Sequence, residues 1–138
     1  MILFVCTGNT CRSPMACALA QAAGVDAQSA GIRACDGAPA SPLAIRAAKL
    51  HGADLTGHRA RTLDEAMLRE AEEVWVMTEG HEAALNMLFP EYSRKVSVLW
   101  PPIPDPYGGD EKTYEKCARS LIEAMRRAEI LPAEGKNF

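Results

Sequence analysis

Short apolar runs alternate along the chain with longer stretches of helical period, the arrangement of a parallel α/β sheet. Runs over Ile2–Val5, Val25–Ser29, Glu73–Met77 and Lys95–Trp100 predict four strands. Between them the helix signals are clear. Ser13-Pro14 reads as an N-cap followed by proline at the first helical position, with Gly24 closing that helix. Ser41-Pro42 repeats the device, with Gly52 beyond the far end, and Thr62-Leu63-Asp64-Glu65 reads as a capping box. A further helix is expected over Glu79–Leu88, ahead of Pro90. A last one buries Tyr114, Cys117, Leu121, Ile122 and Met125 along one stripe. Trp75 and Trp100, on or beside strands, are expected in the core. Gly31 to Ala40 and the proline-rich Trp100–Gly109 are expected as loops, and the tail after Pro132 as loose. In open α/β sheets ligands bind beyond the carboxyl ends of the strands. The loops after strands one and four both emerge there.

Composition narrows the picture. The 138 residues suit one domain, residues 1–138, with a hydrophobic core; 48% apolar and 24% charged is ordinary for a soluble globular chain. The net charge of −3 argues against nucleic-acid partners. Up to Arg61 there are six Lys/Arg against three Asp/Glu, and after it nine against fifteen. The first half is therefore the part expected to attract an anion. No apolar stretch reaches the roughly 18 residues that span a membrane, so no membrane association is expected. Met1–Val5 runs straight into polar residues and reads as a strand, not a leader. Five cysteines in no zinc-type pattern suggest a reducing, cytoplasmic compartment. No metal cluster or nucleotide motif appears, so no cofactor is implied. Nothing in the pattern specifies an oligomeric state.

The chemistry concentrates in Cys6-Thr7-Gly8-Asn9-Thr10-Cys11-Arg12-Ser13, squeezed between the first strand and a helix start. So short a loop must curl on itself, and its backbone N–H groups then form a nest for a tetrahedral anion. The helix start adds unsatisfied N–H groups and a positive dipole end. Gly8 is expected to take a backbone angle other residues resist; Asn9 tolerates the left-handed region and its amide can tie the loop together. Arg12 offers a planar fork for phosphate oxygens. Such surroundings favour a thiolate, and the Ser13 hydroxyl is placed to donate to it. Cys6 is thus the expected nucleophile, attacking phosphorus to give a phosphocysteine. Asp105, held between Pro104 and Pro106, is the expected proton donor to the leaving group.

The cysteine loop, together with Asp105-Pro106-Tyr107-Gly108-Gly109, resembles the low-molecular-weight protein phosphatase family over nearly the whole chain. Ser29-Ala30-Gly31 is similar to its second-strand signature. His51-Gly52 and Thr56-Gly57-His58-Arg59-Ala60-Arg61 are similar to its middle segment. The resemblance implies a three-layer α/β sandwich, a four-stranded parallel sheet flanked by helices, with the phosphate loop after strand one. It implies that Cys6 is nucleophile, Arg12 binds phosphate and Asp105 is general acid, with Asn9, Ser13, Ser29 and His58 in a supporting network. His58, beside two arginines, would otherwise read as a surface histidine. Cys11 matches a second loop cysteine that, in many members, forms a reversible disulfide with the nucleophile. Cys17, Cys35 and Cys117 are expected to be ordinary small or buried residues.

The implied substrates are phosphorylated proteins. Tyrosine-directed members usually carry isoleucine where this chain has Thr10, and aromatic residues around the slot. Here Ile32–Ala44 holds no aromatic, and Tyr107 remains as one wall. Thr10, Met77-Thr78 and Asp105-Pro106-Tyr107-Gly108-Gly109 are more similar to the branch that hydrolyses phosphoarginine. A guanidinium carries donors that need acceptors, and Thr10 and Asp105 supply them. Phosphotyrosine is the alternative. Arsenate reductases share this fold and loop but relay a disulfide through further cysteines, and none lies between Cys35 and Cys117. A non-catalytic phosphoprotein-binding module would normally have lost Cys6, Arg12 or Asp105, and all three are present.

Overall fold

A computed structural model describes residues 1–133. The expectation about the tail beyond Pro132 falls, from residue 134 onward, outside the described residues. Four strands, β1 (Ile2–Cys6), β2 (Ala27–Gly31), β3 (Glu73–Val76) and β4 (Val96–Val98), form one wholly parallel sheet in the order β2-β1-β3-β4. Five helices, α1 (Arg12–Ala22), α2 (Pro42–Leu50), α3 (Glu65–Glu70), α4 (Glu79–Leu88) and α5 (Glu111–Arg127), provide the crossovers and outer layers.

The alternation along β1 divides the core. Phe4 and Cys6 join Met15, Leu19, Ala44, Tyr114 and Leu121 on the side covered by α1, α2 and α5. Leu3 and Val5 join Leu68, Val74, Val76 and Leu85 on the side covered by α3 and α4. Successive strand residues face opposite layers, so a strand buried on both sides reads as a continuous apolar run. The expected α/β sandwich is therefore the observed one.

Several boundaries shift for identifiable reasons. β2 begins at Ala27 rather than Val25, because the Val25 N–H donates to the Ala20 carbonyl (3.0 Å) and completes the C-terminus of α1. Gly24 takes the positive φ of 86° there, as the stop signal required. Ser13 is not the N-cap of α1. That place falls to Cys11, and the Ser13 hydroxyl is occupied with the Cys6 sulfur and Asn9. Nor does Thr62 cap α3: Asp36 Oδ1 accepts from both its N–H and its hydroxyl, and Asp64 accepts from the Met67 N–H instead. β4 is only three residues long. Lys95 closes a 3-10 turn, Pro90–Lys95, where its ammonium donates to the carbonyls of Leu68, Arg69 and Ala71. Trp100 lies past the strand and is 57% exposed, so it is not a core residue; Trp75 is half-buried. Among the described residues, no helix is long and apolar enough to cross a membrane.

Candidate active site

The cysteine loop leaves the carboxyl end of β1, and the proline-rich loop leaves that of β4. They meet over a cavity of about 220 Å³ lined by Cys6, Thr7, Gly8, Thr10, Cys11, Arg12, Asp105 and Tyr107. Two contacts fasten the proline-rich loop there. The Ile103 N–H donates to the Met77 carbonyl (2.9 Å), and Arg12 Nη1 donates to the Ile103 carbonyl (3.0 Å). A larger hollow of about 610 Å³, lined by Leu43, Arg46, Ala47, Lys49, Leu50 and Glu111, holds no cysteine.

The loop itself is built around Asn9. This residue is wholly buried and sits at φ 56°, in the left-handed region that asparagine tolerates. Its Nδ2 donates to the hydroxyls of Ser13 (2.8 Å) and Ser29 (2.9 Å), while its Oδ1 accepts from the Arg61 N–H (3.0 Å). His58 Nε2 lies 2.7 Å from the Asn9 carbonyl and donates to it. That ring is held below its usual pKa, chiefly by burial, with the Asn9 bond opposing and Arg61 and Arg59 assisting. Gly8, expected to take the unusual angle, lies outside the left-handed region; the reversal falls on Asn9, whose side chain is anchored. A Cβ on Gly8 would meet only Thr10 Oγ1, at 3.8 Å.

Two donors of α1 face the sulfur. Ser13 Oγ accepts from Asn9, and its own proton faces Cys6 Sγ at 2.9 Å and, farther off, the Ala30 carbonyl at 3.4 Å. The Ser13 N–H also points at Sγ, at 3.5 Å. Both donors belong to the first turn of α1, where the helix dipole favours negative charge. Among the described residues, no protein acceptor meets the N–H groups of Gly8, Thr10, Cys11 and Arg12, all of them on the cavity wall. A buried guanidinium completes this cradle: Arg12 Nη2 lies 3.8 Å from Asp105 Oδ2. Asp105 is half-exposed, and its Oδ1 accepts from the Tyr107 N–H (3.1 Å) in a local turn. An anion set here would face the sulfur, the guanidinium and a carboxyl group.

The remaining thiols differ in their relation to this chemistry. Burial pushes Cys17 up to about 11 and Cys117 up to about 12, which keeps both protonated near neutrality. Cys11 shares the cavity wall with Cys6 and lies 3.4 Å from the Tyr114 hydroxyl. Cys35, expected among small or buried residues, is exposed. The cationic excess of the first half is dispersed: Arg46 pairs with Glu111, Arg61 serves Ser29 and Gln28, and Arg12 is the cation lining the cavity.

Two residues of this architecture escape a reading of the sequence. Arg61 holds the Asn9 amide by its N–H and the Ser29 carbonyl by Nε (3.1 Å). His81, in the first turn of α4, is buried, and its Nε2 lies 2.9 Å from the Thr7 hydroxyl. A histidine three residues after a capping threonine was the one local signal available for it.

Comparison with known proteins agrees with this geometry. Residues 1–131 match the family described as low molecular weight phosphotyrosine protein phosphatase. A protein-arginine-phosphatase of Geobacillus stearothermophilus is 40% identical, over 96% of this chain and 97% of that protein. The low molecular weight protein-tyrosine-phosphatase Wzb of Escherichia coli K12 is 34% identical, over 94% and 97%. Among solved structures, the arginine phosphatase YwlE with a phosphorylated active-site serine superposes with a TM-score of 0.87 at 33% identity, covering 92% of this chain and 91% of that one.

Proposed function

Since the chain belongs to the low molecular weight phosphotyrosine protein phosphatase family, and so is a cysteine phosphatase, we propose that it is a cytoplasmic enzyme removing phosphate from arginine side chains of proteins. The observation that carries this reading is the company of Cys6. The Thr10 hydroxyl and the Asp105 carboxyl group line the same cavity. They supply acceptors where a guanidinium brings donors and a phenyl ring would want apolar walls.

In this scheme the Cys6 thiolate attacks phosphorus, with the phosphoryl oxygens on Arg12 and the loop N–H groups. The P–N bond breaks as Asp105 gives its proton to the departing guanidine nitrogen. Asp105, now a carboxylate, takes a proton from water; the water oxygen attacks phosphorus, the S–P bond breaks, and phosphate leaves. Asn9, Ser13, Ser29 and His58 hold the loop in shape, and Thr7, Gly8, Thr10, Cys11 and Tyr107 shape the slot. Phosphotyrosine is a second reading, favoured by one observation: the Tyr107 ring, 80% exposed at the rim, is free to flank an aromatic substrate.

The deciding experiment compares wild type with Thr10→Ile on phosphoarginine and phosphotyrosine peptides. The wild type is expected to prefer phosphoarginine, and the variant to shift toward phosphotyrosine by about tenfold or more in the ratio of kcat/KM. A wild-type preference for phosphotyrosine that barely moves in the variant overturns the assignment.

A further inference from the structure

His81 is a buried titratable group that the scheme above does not use, yet it is bonded to the phosphate loop. Its backbone N–H donates to Thr78 Oγ1 (3.3 Å), the side-chain cap of α4. The same hydroxyl lies 3.2 Å from the ring Nδ1, and on the other side of the ring Nε2 lies 2.9 Å from Thr7 Oγ1. These contacts admit two proton arrangements, each leaving one threonine proton without a protein acceptor. In one, Thr78 Oγ1, which already accepts from the backbone, gives its proton to Nδ1, and the neutral ring carries its proton on Nε2. Nε2 then donates to Thr7 Oγ1. With the opposite tautomer, Thr78 Oγ1 would accept twice and its own proton would be left without a protein acceptor. Burial, helped by Arg12 and opposed by Asp105, holds the ring neutral down to about 4, so through the neutral range it is in one of these two tautomers. The first leaves the free proton on Thr7, an exposed residue facing the cavity, and the second leaves it on the half-buried Thr78.

One proton is left over. Among the described residues Thr7 Oγ1 has no hydrogen-bond partner except His81, and Thr7 is an exposed residue on the wall of the cavity. A hydroxyl that accepts from an imidazole is also a stronger donor. We propose that the His81 ring carries its proton on Nε2 and is a positioning residue that, through its bond to Thr7 Oγ1, aims the Thr7 hydroxyl proton into the cavity as a donor to a phosphoryl oxygen. The inference rests on the reading of this cavity as the phosphate site. It applies equally to phosphoarginine and phosphotyrosine, because the oxygens are common to both.

The test measures the inhibition constant for inorganic phosphate, and kcat/KM, in Thr7→Val, His81→Leu, their double variant and His81→Gln. A glutamine amide nitrogen reaches the place of Nε2 and still donates to Thr7; a leucine fills the space without donating. Thr7→Val and His81→Leu are each expected to weaken phosphate binding about tenfold, the scale of one hydrogen bond. The double variant is expected to be no weaker than the worse single, and His81→Gln to recover most of the loss. Losses that multiply in the double variant, or a His81→Gln as weak as His81→Leu, overturn the proposal. So does phosphate affinity unchanged in Thr7→Val, which decides the matter even if His81→Leu does not fold. Cys6→Ser separates this from the underlying reading: full turnover there defeats the phosphocysteine scheme, whatever His81 does.

Discussion

Gly31 is the last residue of β2 and packs closely against the phosphate loop's backbone. A methyl group at this position would stand 2.7 Å from the Thr7 carbonyl oxygen and 3.0 Å from both the N and the Cβ of Asn9. Neither side can retreat freely. Gly31 is fixed by its N–H to the Arg61 carbonyl and its carbonyl to the Leu63 N–H, both 2.9 Å. The loop is pinned by Ile32 N–H to the Cys6 carbonyl (3.0 Å) and Arg33 N–H to the Thr7 carbonyl (2.9 Å). Ordinary carbon contacts lie near 3.5 Å, so Gly31→Ala requires a displacement of roughly 0.5–1 Å. Overpacking of that kind costs about 1–3 kcal/mol, or roughly 3–12 °C in Tm for a chain of this length. Activity should fall further than stability implies, because a misplacement of about 1 Å can cost on the order of a hundredfold in rate. The assay pairs thermal denaturation with initial rates on an aryl phosphate, taken well below Tm so that the enzyme is folded throughout. Gly57→Ala is the control, since nothing lies within 4 Å of a Cβ at that position. A Gly31→Ala variant that loses stability but keeps wild-type kcat/KM would refute the reasoning, for the loop would not have moved.

Two further outcomes follow from the same geometry. Asn9→Ala leaves the Ser13 and Ser29 hydroxyls and the Arg61 N–H without their buried partner and puts alanine at φ 56°. It should cost about 3–5 kcal/mol in urea denaturation; a cost below about 1 kcal/mol would contradict its central place. The unfolded chain protonates the His81 imidazole near pH 6.5, whereas the fold holds it neutral to about 4. Between those values the unfolded state binds the extra proton, so native stability is lost as pH falls from about 6.5 toward 4, at up to about 1.4 kcal/mol per pH unit from this group. His81→Gln removes that share, and urea titrations at pH 7, 5.5 and 4.5 should show a flatter profile; parallel profiles would exclude the linkage.

Most of the sheet and the phosphate loop were legible because their information is contiguous. A doubly buried strand is an unbroken apolar run, and the cradle is one uninterrupted segment from Cys6 to Ser13. Asp105 reads as a site residue only beside that loop, since Asp-Pro by itself is turn chemistry, and the fold places it on the cavity wall. What failed was competition among local signals. Thr62 and Asp64 both present capping chemistry for α3, and only the folded chain reveals that Asp36, far off in sequence, takes Thr62 for itself. Ser13-Pro14 carries the composition of a helix start, but Ser13's hydroxyl is claimed by Cys6 and Asn9. His81 was invisible for another reason. Its partner Thr7 is 74 residues away, and the pairing of β1 with β3 is what delivers the start of α4 to the loop.

The residues of the site differ in how they are held. Cys6, Asn9, Arg12 and Ser13 are buried and interlocked with the core, whereas Thr7, Asp105 and Tyr107 are exposed and Thr10 half-buried. Substitution in the first group unsettles the whole molecule; in the second it costs little stability, as surface changes generally do. An evolving lineage can therefore exchange the residues that greet the substrate side chain while inheriting the machinery beneath them untouched. One scaffold bearing both arginine-phosphatase and tyrosine-phosphatase names among its relatives is the pattern such a division of burial would leave.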